Sequence, residues 1–187
     1  RSQGFQVSLL SEPKQAFEVE PGKEEYATWL GVTQEEDAKQ TIAALGDDYP
    51  NWLIVDHYAL DADWEKILRP YVDKMMVIDD LANRKHDCDL LLDQNYSLEP
   101  QKRYSGLVPK DCGRLLGSRY ALVRPEYSEY RKTMKQRNGS VSRVMVFMGG
   151  SDNANITSMV VDALSTMELG HLEVDVVVGP NNSNKDK

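Results

Sequence analysis

The stretch WLIVDHYALDADWEKILRPYVDKMMVIDD, residues 52–80, decides the fold class. It opens on four consecutive apolar residues, Trp52 to Val55, and closes on Met75-Met-Val-Ile78, with one helix-length segment between them. Short unbroken apolar runs joined through a helix mark a parallel sheet covered by crossover helices. Asp61 stands where a helix N-cap belongs, and Pro70 stands where that helix must stop. Trp52–Val55 therefore reads as a buried strand, followed by a helix to Arg69 and a second strand from Lys74 to Ile78.

The same alternation continues in both directions. Upstream, Phe5–Leu10 reads as a strand, Glu24–Leu30 as a short helix and Thr33–Leu45 as a longer one. Thr33 and Glu36 form a capping box for that helix and Gly46 ends it. Downstream, Asp89–Leu92 reads as a strand, while residues 94–124 are irregular, punctuated by Pro100, Gly106, Pro109, Gly113 and Gly117. Pro125 opens a charged helix to about Arg137, with no apolar stripe for a core. A fresh unit then starts: the strand Arg143–Phe147, the turn Met148-Gly-Gly-Ser-Asp152, a helix with apolar Ile156, Met159, Val160, Ala163, Leu164 and Met167 at helical spacing, and a last strand, Leu172–Val178. The expected domains are residues 1–124, a linker helix over 125–140, and a second α/β unit over 141–187.

Composition narrows the function. The chain has 187 residues, 22 Lys plus Arg against 30 Asp plus Glu, and a net charge of −8. An acidic chain gains no counterion-release attraction to a polyanion, so a nucleic-acid partner is not expected. The apolar runs fall far short of the roughly 20 residues of a membrane span, and no signal peptide is read. Two cysteines, Cys88 and Cys112, make no disulfide framework, and reduced thiols in the cytoplasm are the expectation. The chain begins at Arg1 without Met and reads as a middle piece of something longer.

Several strands end in groups able to do chemistry. Val55 runs into Asp56-His57-Tyr58, Ile78 into Asp79-Asp80, Leu92 into Asp93-Gln94-Asn95, Phe147 into Gly149-Gly150-Ser151-Asp152, and Val178 into Gly179-Pro180-Asn181. The carboxyl ends of parallel strands line the ligand crevice of open α/β sheets. His57 is a candidate acid–base group and Tyr58 a donor for sugar or phosphate oxygens; both also read as packing over a neighbouring strand. Gly149, Gly150 and Ser151, between a strand and a helix N-terminus, suit a phosphate or diphosphate. The same turn also reads as a simple one capped by Ser151 or Asp152. Asp61-Ala-Asp63 is a helix cap rather than a metal-binding Asp-x-Asp. His86-Asp-Cys88 is structural, and Asp79-Asp80 lacks matching metal-ligand spacing elsewhere.

Taken together, four stretches resemble one family. They are Trp52-Leu-Ile-Val-Asp-His-Tyr58 with Trp64-Glu65; Val77-Ile-Asp-Asp-Leu-Ala-Asn-Arg84 with His86-Asp-Cys-Asp-Leu-Leu-Leu-Asp-Gln-Asn95; Tyr120-Ala-Leu-Val-Arg-Pro125; and Met148-Gly-Gly-Ser-Asp152 with Asn155. The chain resembles the UDP-2,4-diacetamido-2,4,6-trideoxy-β-L-altropyranose hydrolases of pseudaminic acid biosynthesis, well over about residues 50–160 and loosely elsewhere. The resemblance implies a GT-B-like α/β fold of two Rossmann-like halves, both incomplete here, with a UDP-sugar substrate in the cleft between them. It implies hydrolysis by water attack at the anomeric carbon, with no cofactor and no required metal. On it, Tyr58 matches an active-site tyrosine with His57 beside it, Gly149, Gly150 and Ser151 match a loop near the diphosphate, and Asn155 is a further substrate-side match. The family's catalytic histidine sits in a G-x-G-H loop that residues 1–187 do not contain, so this piece alone is expected to lack efficient turnover. Two other readings stay open: a GT-B-type UDP-N-acetylglucosamine glycosyltransferase, and a non-catalytic nucleotide-sugar binding module.

Overall fold

A computed structural model describes residues 4–11, 26–134 and 136–185. The chain divides into two compact units, residues 1–124 and 125–187. Both are α/β with parallel strands.

The first unit holds a four-stranded parallel sheet in the order β1-β2-β3-β4: β1 Trp52–Val55, β2 Lys74–Ile78, β3 Leu90–Asp93 and β4 Gly113–Leu116. Every adjacent pair is parallel, in the registers Val55 to Val77, Val77 to Leu91 and Leu91 to Arg114. Helix α1, Gln34–Leu45, precedes β1, and α2, Ala62–Leu68, joins β1 to β2. Thr33 caps α1 by accepting the Glu36 N–H at 3.2 Å, and Gly46 ends it at a φ of +61°. Asp61 caps α2 by accepting the Asp63 N–H at 2.8 Å. Leu60, Trp64, Leu68, Val72, Met75, Val77, Leu91 and Tyr104 form the core with Ala38 of α1. The Cys88 and Cys112 sulfurs meet inside it at 3.6 Å as free thiols.

Three expectations need correction. Phe5–Leu10 is not a strand: its side chains are exposed, and β1 pairs only with β2 among the described strands. An apolar stretch becomes a strand only when a sheet edge takes its backbone bonds. Glu24–Leu30 falls partly outside the described residues, and its described part is a 3-10 turn, Ala27–Trp29. The irregular segment hides three elements: the one-turn helix α3, Pro100–Arg103, the strand β4, and a 3-10 turn, Ser118–Tyr120. The Gly-Arg-Leu-Leu of β4 is a strand because β3 supplies its ladder, not because its own pattern demands one. In addition, β1 is buried on one face only: Val55 is inside, while Trp52 and Ile54 are exposed at the sheet edge.

The second unit begins with helix α4, Pro125–Thr133, all of whose side chains are exposed. The parallel pair β5, Arg143–Val146, and β6, Glu173–Val176, follows, joined through α5, Ile156–Ser165. Arg143 forms an exposed ion pair across the two strands with Asp175, whose carboxyl the guanidinium holds below the usual range. Among the described residues no helix is long and apolar enough to cross a membrane.

Candidate functional site

The carboxyl ends of β1, β2 and β3 bring three sequence-distant segments together. Asp79 and Asp80 follow β2 directly, and consecutive side chains there point to opposite sides. Asp79 is buried and turns inward, whereas Asp80 faces the surface. This divergence is why the pair does not act as a two-carboxylate clamp.

Asp79 is the hub of the inner half. Its Oδ1 accepts Arg84 Nη1 at 2.7 Å, and its Oδ2 accepts the Ala82 N–H at 3.0 Å. The Tyr104 hydroxyl lies 2.9 Å from the Asp79 carbonyl and 3.0 Å from Oδ2. Burial alone would push the Asp79 carboxyl up, but the Ala82 N–H and the charges of Arg84 and His86 outweigh it, and the group lies below the ordinary range. Arg84 also donates to the Leu60 carbonyl at 2.8 Å and reaches the His57 carbonyl at 3.5 Å. The guanidinium therefore pins the loop after β1, which carries His57 and Tyr58, to the end of β2. Its planar fork of donors suits that task. Beneath it, His86 is buried, with Nδ1 2.7 Å from Glu65 Oε1, and Glu65 also accepts the Asp87 N–H. The expectation of a structural role for His86 agrees with this placement.

Asp80 is the hub of the outer half. Its carboxylate accepts the Tyr58 hydroxyl and the Asn95 amide, each at 2.8 Å, and its carbonyl accepts Arg103 Nη2 at 2.6 Å. Arg103 in turn pairs with buried Asp93 at 2.9 Å. The hydrogen bond to Asp80, followed by burial and the nearby carboxylate charges, pushes the Tyr58 hydroxyl up to about 12. At neutral pH Tyr58 is thus a proton-bearing donor and not a base. His57 accepts the Ala59 N–H on Nδ1 at 3.1 Å, so in its neutral form the ring carries its proton on Nε2. Tyr26 and Trp29 pack on the Tyr58 ring, with centroids 5.0 and 6.1 Å from it and 4.9 Å from each other.

In the second unit, Gly149, Gly150 and Ser151 are exposed at the end of β5. Gly149 has a φ of +86°, and a Cβ on Gly179 would overlap the Gly150 backbone, so two glycines let the β5 and β6 ends meet. The first N–H groups of α5 are already occupied: the Asp152 carboxylate accepts Ile156 N–H at 2.8 Å and Thr157 N–H at 3.0 Å. Asp152 therefore fills the place at the helix end where an anion is otherwise favoured. Asn155 sits at a φ of +53°, and its side-chain oxygen accepts the Ser158 hydroxyl at 2.8 Å.

The sequence reading singled out His57, Tyr58 and the polar strand ends but not Arg84, Arg103, Tyr104 or Glu65, which hold them. One signal was available. Glu65 sits between Ala62 and Leu68 at helical spacing, and all three are buried. A carboxylate on an apolar stripe announces a buried partner.

No family model matches the chain. Over 135 residues it is 27% identical to the UDP-2,4-diacetamido-2,4,6-trideoxy-β-L-altropyranose hydrolase of Campylobacter jejuni, covering 72% of this chain and 46% of that protein. Over 142 residues it is 22% identical to an uncharacterized protein of Methanocaldococcus jannaschii, covering 74% of this chain and 29% of that protein. The chain thus spans less than half the length of these curated relatives.

Proposed function

We propose that the chain is part of a nucleotide-sugar hydrolase, which releases UDP from a UDP-linked diacetamido-trideoxy sugar by water attack at the anomeric carbon. The supporting observation is the similarity to the Campylobacter jejuni hydrolase, which spans the very segments that build the Tyr58–Asp80–Asn95 cluster. On this reading the whole protein follows the GT-B plan, residues 1–124 belong to its first Rossmann-like half, and residues 141–187 begin the second.

In the reaction a water oxygen bonds to the anomeric carbon while the bond from that carbon to the diphosphate oxygen breaks. UDP carries away the electron pair, and the water gives up a proton. Tyr58 holds its own proton at neutral pH and donates it to Asp80, so its hydroxyl oxygen is left to accept from a sugar N–H or O–H. His57 offers Nε2–H as a donor. With Nδ1 of His57 engaged by the Ala59 N–H, the reading assigns the proton of the attacking water to a base other than Tyr58 and His57. On this reading the Gly149-Gly150-Ser151 turn and Asn155, all in the second unit, serve the nucleotide. Because Asp152 fills the α5 terminus, the diphosphate is met by the glycine turn before the helix rather than by the helix itself.

The test is UDP release from the diacetamido-trideoxy-altrose nucleotide, comparing residues 1–187 with a chain extended in both directions. Release by the extended chain alone supports the reading and places the base outside residues 1–187. Release by both makes His57 the base and overturns the assignment above. Release only with an added acceptor identifies a glycosyltransferase, and binding without release identifies a binding module.

A further inference from the structure

Trp29 is 63% exposed although it touches two other aromatic rings. Isolated exposed aromatics are ordinary on protein surfaces, but a contiguous cluster beside fixed polar groups is not. Tyr26, Trp29 and Tyr58 form such a cluster, and the Tyr58 ring leads directly to the Asp80 carboxylate and the Asn95 amide. A flat apolar surface edged by a few oriented donors and acceptors is how small-molecule sites combine affinity with orientation.

We propose that this aromatic wall receives the sugar ring of the nucleotide sugar, an inference that rests on the function proposed above. Two features favour the sugar over the rest of the ligand. The Tyr58 hydroxyl lies in the field of the Asp80, Asp79 and Asp56 carboxylates, and although Arg84 pairs with Asp79, the charges of Asp80 and Asp56 disfavour a diphosphate there. A diacetamido-trideoxy sugar, by contrast, is uncharged. It presents three methyl groups and a C–H face for the rings, and its acetamido N–H groups match a carboxylate acceptor such as Asp80. Trp29 and Tyr26 are then specificity residues for an apolar, amide-bearing pyranose, acting from a segment before β1 that carries none of the strand-end polar groups.

The experiment is calorimetric titration of the full-length protein, W29A and W29F with the UDP-sugar and separately with UDP. Trp29 is exposed, so its truncation removes little core, and unchanged UDP affinity reports an intact fold. The wall predicts that W29A binds the UDP-sugar about tenfold more weakly, binds UDP as the wild type does, and that W29F stays within about threefold. The wild-type minus W29F fluorescence difference isolates Trp29, and it should shift to the blue with the UDP-sugar but not with UDP. If W29A binds the UDP-sugar normally, or weakens UDP equally, the wall is not the sugar subsite while the hydrolase reading stands. If the wild type binds UDP but gains nothing from the sugar, or binds neither, the functional reading fails and the wall falls with it.

Discussion

Arg84→Met tests whether the Arg84–Asp79 pair organises the first unit. Neither side chain exposes more than 5% of its surface. Met keeps the length and removes the charge, leaving Asp79 buried opposite an apolar tail and the Leu60 carbonyl without its donor. Breaking a buried pair costs about 3–5 kcal/mol, and an orphaned buried carbonyl costs about 1 kcal/mol or more. Asp79 keeps the Ala82 N–H and the Tyr104 hydroxyl, which places the total toward the lower part of that sum, about 4 kcal/mol. Trp29, Trp52 and Trp64 are the chain's three tryptophans, and all lie in the first unit, so fluorescence in urea reads that unit alone. Trp64, at 3% exposure, supplies the burial signal. With a urea slope of about 2 kcal/mol per M, the midpoint should fall by about 2 M. A fall below about 0.5 M would refute the reasoning, because it would mean that Asp79 tolerates burial without Arg84. The double variant D79N/R84M should recover part of the loss, since a neutral amide leaves no unpaired charge.

Other outcomes follow from the same geometry. The Asp79 carboxyl titrates below its unfolded value, so its stabilisation is present above about pH 4 and disappears as pH falls below that; R84M should flatten this acid limb in urea midpoints taken from pH 3 to 7. Tyr58, raised to about 12, contributes stability that is whole below about pH 10 and lost as pH rises through 12; difference titration at 295 nm should show a tyrosine ionising near pH 12 that is missing from Y58F, whereas buried Tyr104 ionises later still in both. Gly179→Ala forces Cβ into the Gly150 backbone, so amide exchange across β5 and β6 should accelerate while the first unit is unaffected; unchanged protection would contradict the close approach.

Much of the fold was legible because its signals are local. A four-residue apolar run bounded by polar residues specifies β1, and its bounds, Trp52–Val55, agree with the sequence reading to the residue. Thr33 and Asp61 cap the helices they precede because a cap needs only its own backbone neighbours two or three residues on. The site is legible only as a set of polar strand ends. Its wiring joins Tyr58 to Asp80 across 22 residues and Arg84 to Leu60 across 24, and no periodicity encodes such pairings.

By itself, then, the sequence determined an α/β chain with parallel strands and polar residues gathered at strand ends, because hydrophobic period and capping chemistry act over a few residues. Tertiary structure alone decided which of Asp79 and Asp80 is buried. It also decided that Gly113–Leu116 is a strand and that Tyr26 and Trp29 stand against Tyr58. Each of those outcomes depends on a partner brought near by the packing of the sheet. Burial, ladder pairing and ring contact belong to the assembled neighbourhood and not to any one residue.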